Sequence, residues 1–170
     1  MKYAVSLILL AVFSCGRPSG NLVVDKDLFV KDHLIKGNLT NKDTTARFEF
    51  HDCSCSITPS GIFIRQQVEF KIGGIYLITH IQNDYVDFFL ETKSGYYGDS
   101  RKFHLQDSLL ILTRSSYNFG DSVQGKISVS GYDIVPEGVG QKITLKIEGT
   151  FKCALTDSAY RNNEYEKYLR

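Results

Sequence analysis

Tryptophan is absent from this 170-residue chain, and proline occurs only three times. The aromatic content lies in eleven Phe and ten Tyr, residue types that favour strands over helices. Fourteen Gly against three Pro fit a chain with many tight turns. Charge of one sign is also missing. Twenty Lys and Arg oppose nineteen Asp and Glu, leaving a formal +1, which excludes the clustered basic excess of a nucleic-acid footprint. The N-terminal apolar run, Ala4 to Phe13, is broken only by Ser6 and falls short of the roughly 20 residues that span a bilayer. No Gly-x-Ser-x-Gly occurs, so no nucleophile elbow is visible. Internal repeats and low-complexity tracts are missing too. With 42% hydrophobic and 23% charged residues, the chain suits one globular domain plus a short targeting segment.

What is present is alternation. From Lys142 to Thr156 the sequence reads KITLKIEGTFKCALT. Ile143, Leu145, Ile147, Gly149, Phe151, Cys153 and Leu155 share one side; Thr144, Lys146, Glu148, Thr150 and Lys152 share the other. Period-two patterning of this length predicts a strand with one dry and one wet face. Upstream runs repeat the pattern more briefly. Leu22–Val24 and Leu28–Val30 read as short strands, Gly37–Thr45 as a turn, and Arg47–Ile57 as one strand. Gly61–Ile72 and Ile75–Ile81 flank Gly73-Gly74, which predicts a tight hairpin turning on the two glycines. Gln82–Asp84 is the next turn and Tyr85–Thr92 the next strand. Lys93–Arg101 is a loop; Lys102–Leu105 and Ser108–Thr113 are strands; Asn118–Ser122 is a turn. Val123–Tyr132 is expected to return as a hairpin, with Lys126–Gly131 against Lys142–Ile147. The polar tail from Asp157 predicts a short C-terminal helix. Nine or ten short strands at this spacing point to an all-β domain, an antiparallel β-sandwich, over residues 22–156, with a helical tail at 157–170.

The first fifteen residues carry an address. Lys2 precedes the apolar run, which has the length of a signal-peptide core. Val12-Phe13-Ser14-Cys15 resembles the lipobox of bacterial lipoproteins: aliphatic, small, small, Cys. Val12, Ser14 and Cys15 match that pattern; Phe13 is bulkier than it. The resemblance covers residues 1–15 alone. It implies cleavage after residue 14, lipidation of Cys15 by palmitate-like acyl chains, and membrane anchorage, with residues 15–21 as tether. Gly16 is not the Asp that retains such proteins at the inner membrane, which by analogy favours the outer membrane of a cell envelope. Asp43-Thr44, Asp107-Ser108, Asp121-Ser122 and Asp157-Ser158, each followed by a small or aliphatic residue, resemble the O-glycosylation motif of exported Bacteroidetes proteins. Thr44, Ser108, Ser122 and Ser158 are the implied acceptors, all expected at turns or strand ends.

Three cysteines remain. In an exported chain the first expectation is a disulfide. Cys53 and Cys55 are poorly placed to bridge each other along one strand, so Cys153 pairs with either of them and one thiol stays free; three buried, reduced cysteines are the alternative. His51, Cys53, Cys55 and Cys153 could form a Cys₃His zinc set. Their spacing is not that of a zinc knuckle, and ligands along one extended strand span too far to share an ion, so no metal or other cofactor is expected. His33, His80 and His104 are scattered, with His80 expected half-exposed. Asp84, Asp87 and Glu91 could pair as glycosidase carboxylates, but Asp87 and Glu91 read as a solvated strand face. Tyr96 and Tyr97, in the 93–101 loop, could stack on sugar rings or a partner protein.

No motif names a reaction. The reading these residues favour is a lipid-anchored envelope protein with a non-catalytic β-sandwich binding or structural module, its partners the membrane and a carbohydrate or envelope protein. The alternative is an envelope hydrolase whose Asp, Glu and His residues converge only in three dimensions.

Overall fold

The computed structural model of the chain describes residues 20–71, 73–83, 85–94, 100–134 and 142–157. Among them are eleven strands and no helix. In chain order they are β1 (Asn21–Val24), β2 (Leu34–Thr40), β3 (Thr45–Phe50), β4 (Asp52–Thr58), β5 (Gly61–Phe70), β6 (Gly73–Gln82), β7 (Tyr85–Ser94), β8 (Ser100–Lys102), β9 (His104–Leu112), β10 (Ser122–Ile134) and β11 (Lys142–Asp157). The all-β class follows from the alternation and the strand-favouring aromatics.

The strands form one hydrogen-bonded sheet in the order β1-β9-β10-β11-β4-β5-β6-β7-β8, with β2 also on β11 and β3 on β2. β11 is the junction. One of its edges runs antiparallel to β10 from Ser122↔Ala154 to Ile134↔Lys142. The other edge is divided: Thr144–Thr150 takes β2 antiparallel, and Leu155–Asp157 takes β4 in parallel. The chain crosses that division at His51, between β3 and β4. Its predecessor Phe50 pairs with Ile35 of β2, and Asp52 already pairs with Gln67 of β5. His33 Nε2–H donates to the Phe50 carbonyl at this corner (3.1 Å), and burial lowers the His33 pKa below its ordinary value.

Alternation in β11 holds as expected. Leu145, Ile147, Phe151, Cys153 and Leu155 are buried, while Lys146, Glu148 and Lys152 are exposed. Gly149 takes φ 153°, and a Cβ there would run into the backbone of Leu34 and Ile35, so only glycine lets β2 approach this closely. The buried residues of β11 join one core cluster with Ile35 and Phe50, with Ile64, Leu77 and Leu90, and with Leu110, Ile127 and Val129. Strands distant in the hydrogen-bonded order lie against each other: β3 against β5, β7 against β1 and β9. At one point they also bond, where Gly20 N–H donates to the Val86 carbonyl (2.9 Å). Gly20 therefore ties the head of β1 to β7, while β1 itself pairs in parallel with β9.

Several strand boundaries differ from the sequence reading. Leu28–Val30 is not a strand. The second strand is instead β2, running through the Gly37-Asn38-Leu39-Thr40 stretch that composition marks as a turn. Gly37 is tolerated there because the Phe48 ring, its cross-strand partner, occupies the space a side chain would take. The expected 47–57 strand is two, broken at His51. The β5–β6 hairpin forms, but Phe70 pairs with Gly73, so the reversal lies before the two glycines and both belong to β6. The β10–β11 hairpin also forms, with Lys126–Gly131 opposite Leu145–Thr150 rather than Lys142–Ile147, a shift of three residues; the observed register sets Ile127 and Val129 opposite Gly149 and Ile147 on the dry face, where the expected one would have set them opposite the wet Lys146 and Thr144. The two strands expected at 102–105 and 108–113 are largely one, β9. The helix expected at 157–170 lies outside the described residues, apart from Asp157, which is in β11.

Candidate functional site: a sulfur cluster and a buried outer face

Cys55 and Cys153 form a disulfide with Cα atoms 5.8 Å apart. It joins β4 to β11 where the edge of β11 passes from β2 to β4. Both residues are buried, and Cys53 is a free thiol. Cys55 faces Leu155 across the parallel pair, so Cys153, two residues earlier on the same face, is its diagonal neighbour. Cys53 lies one pleat earlier on β4, level with Cys153 if the parallel register is continued upstream, and opposite Gln66 of β5.

The sulfurs are closer than ligands spaced along one extended strand are expected to be. The Sγ atoms of Cys53, Cys55 and Cys153 all lie within 4.8 Å of one another. β11 approaches β4 from the side and closes the triangle. His51 does not join it, being exposed at the β3–β4 corner. Burial pushes the Cys53 thiol up to about 12, against a smaller downward pull from the Gln66 amide. Gln66 itself is fully buried, and neither its Oε1 nor its Nε2 has a hydrogen-bond partner. Asp52, Ser54, Arg65 and Gln67, on the opposite face of β4–β5 from the cysteine side chains, line with Cys53 a surface cleft of about 320 Å³.

A second constellation lies on the other face of β4–β7. Register places Ser56, Phe63, His80 and Asp87 in one row across four strands. His80 is 2% exposed, Asp87 7% and Glu91 6%. The half-exposed His80 and the solvated Asp87 and Glu91 expected from the sequence are thus corrected: period-two patterning identifies the face but not whether that face is covered. His80 stacks on Phe63 at 4.4 Å, and its Nε2–H donates to the Ser60 carbonyl at 2.8 Å, leaving Nδ1 buried without a partner. Phe63, Ile78 and Phe89 form a small apolar cluster beside it. Lys93 bridges Glu91 at 3.4 Å and sits over the Tyr76 ring at 4.6 Å. The order Ser56–His80–Asp87 has the residue types of a hydrolytic triad but not its geometry. Phe63 separates Ser56 from His80, and two strand spacings of about 4.8 Å far exceed the roughly 2.6–3.2 Å that proton transfer needs.

The remaining sequence candidates are dispersed. Thr44 is exposed in the β2–β3 turn, where its hydroxyl donates to Asn41 Oδ1 (2.8 Å). Ser108 is not at a strand end but inside β9, opposite Val129, and lies beside Gly20, so its neighbourhood is crowded in a way a turn is not. Ser122 opens β10, half-buried. His104 is exposed beside Tyr132. Cys15, Asp84, Tyr96, Tyr97 and Ser158 lie outside the described residues. A further cleft, of about 510 Å³, mixes Lys36, Arg47, Glu49 and Glu148 around the Gly37–Phe48 step; the sequence reading missed it because it treated Gly37 as a turn.

No family model, no curated protein and no solved structure matches this chain.

Proposed function

We propose that this chain is a lipid-anchored cell-envelope protein whose all-β domain is a non-catalytic binding or structural module folded as a β-sandwich. The observation that carries the exported address is the buried Cys55–Cys153 disulfide, since such bonds persist in oxidising compartments and are rare in reducing ones. The lipobox-like Val12–Cys15 supplies the anchor in this reading, and two or more acyl chains hold stably where one is marginal. The sandwich is supported by a core that draws on β5–β7 and on β2, β3 and β9–β11 together. The non-catalytic character is supported by His80, whose Nε2 is committed to a backbone carbonyl. The hydrolase alternative would need His80 to leave Ser60 and Phe63.

The test is intact-mass spectrometry of the protein purified from membranes of its native host. The expected mass is that of residues 15–170 with acyl chains on Cys15 and two hydrogens fewer than the fully reduced chain. A product that begins at Met1, or carries no lipid mass, overturns the address.

A further inference from the structure

The triangle of sulfurs has a use beyond holding β4 to β11. A disulfide needs two of them; the third, Cys53, is a free thiol on β4 opposite Gln66 of β5. Two metal–thiolate bonds of about 2.3 Å meeting at tetrahedral or trigonal angles put their sulfurs roughly 3.8–4.0 Å apart, and the three Sγ atoms here already lie within 4.8 Å of one another. The buried Gln66 amide, with both polar atoms unpartnered, stands across from Cys53, where an amide oxygen can serve as a weak additional ligand. Cys53 is only partly buried, whereas Cys55 and Cys153 are buried, so a cation would enter from the Cys53 side. Buried polar atoms without partners are costly, and a cation held at the sulfurs would give Gln66 Oε1 something to face.

We propose that Cys53, Cys55 and Cys153 form a redox-gated thiolate site for a soft cation of the Zn(II) or Cu(I) class. The disulfide-bonded and metal-bound forms are then alternative states of one cluster. A dithiol reductant delivers two electrons and two protons to the Cys55–Cys153 bond; the S–S bond breaks, two S–H bonds form, and the reductant leaves as its own disulfide. The cation then forms three S–metal bonds and displaces the three thiol protons to solvent. Metal binding of this kind is proton-releasing and couples to folding. The inference does not depend on the lipid anchor.

The test uses residues 15–170, reduced with a phosphine, desalted without oxygen and titrated with Zn(II) against a chromophoric chelator, with native mass spectrometry as the count. One equivalent is expected on the reduced chain and none on the oxidised one. Cys53→Ser keeps the Cys55–Cys153 bond available, so its oxidised form reports folding by an unchanged urea midpoint; its reduced form is expected to bind Zn(II) at least 100-fold more weakly. If reduction alone unfolds the chain, recovery of the folded circular dichroism on adding one equivalent supports the site and failure to recover overturns it. Stoichiometric binding to the oxidised protein, or undiminished binding by reduced Cys53→Ser, also overturns it.

Discussion

β11 and the β5–β7 region bury their side chains by different rules. β11 is dry on one face and wet on the other: Phe151 and Ile147 are fully buried while Lys146 and Glu148 stand in solvent, paired with each other at 2.8 Å. β5–β7 bury both faces. Gln66 and Leu77 line the main core, and Phe63, Ile78 and His80 are as deeply covered on the reverse side. A one-sided strand announces itself in sequence, whereas a two-sided one scatters polar residues into buried places. Of the polar groups of β5–β7, His80 Nε2 is met by the Ser60 carbonyl and Glu91 by Lys93, while the Gln66 amide, Thr79 Oγ1 and His80 Nδ1 are buried without a hydrogen-bond partner.

The largest effect that would sharpen this contrast comes from the disulfide that ties β11 to β4, the strand beside β5. Replacing Cys55 and Cys153 together by Ala frees a loop closed over a separation of 98 residues, and the chain-entropy relation gives a loss of about 4–5 kcal/mol, measurable as a fall in the urea midpoint. Next come paired truncations of the two faces. Phe151→Ala should cost about 3–5 kcal/mol, as for a fully enclosed aromatic. Phe63→Ala should cost less, because its cluster holds only Ile78 and Phe89 besides. Equal losses would break the distinction between a main core and a thin covered face.

A smaller effect follows from the β3–β4 corner. The folded His33 pKa is lowered, burial being the leading cause, with Phe50 and Asp52 opposing it and His51 adding to it. The unfolded chain therefore takes up the proton first as pH falls. Stability is fully present above the ordinary imidazole value of 6.5 and declines as pH drops through it toward the folded value. The urea midpoint should fall over that window, and His33→Gln should flatten the fall. The smallest effect is expected on the wet side of β11. Lys146 holds the Glu148 carboxylate below its usual range, yet the pair is solvent-exposed and screened. Glu148→Gln should leave the urea midpoint unmoved, and a measurable drop would mean that this face is not simply wet.

Legibility in the sequence divides along the same line. The dry face of β11, the β10–β11 and β5–β6 hairpins, and a Cys153 bridge to one of the two nearby cysteines can be read from period, turn residues and strand geometry. The register of β10 against β11 is legible only in part: the expected pairing, three residues away from the observed one, would set Ile127 opposite Lys146, a mismatch of faces that alternation rules out, whereas alternation does not choose among registers that differ by an even number of residues. β2 was hidden because Gly37 and Asn38 are turn residues by composition, and only the Phe48 ring opposite makes a strand of them. The covered state of His80, Asp87 and Glu91 was hidden because alternation assigns residues to a face without saying what lies over it. The sulfur triangle was hidden because its third side is made by a strand about a hundred residues away.

Gly20 gives the molecule a mechanical polarity. Its single N–H···O bond to Val86 is followed directly by the parallel β1–β9 ladder, so tension arriving from the N-terminal side meets that one bond first and the ladder only afterwards. Were the chain moored at Cys15 as proposed, a pull on the mooring would peel the Gly20 clasp from β7 while β1, loaded lengthwise along its neighbour, shared the strain among several bonds at once. The clasp would act as a fuse: it yields at low load, detaching the head of β1 from β7 without opening the core behind it.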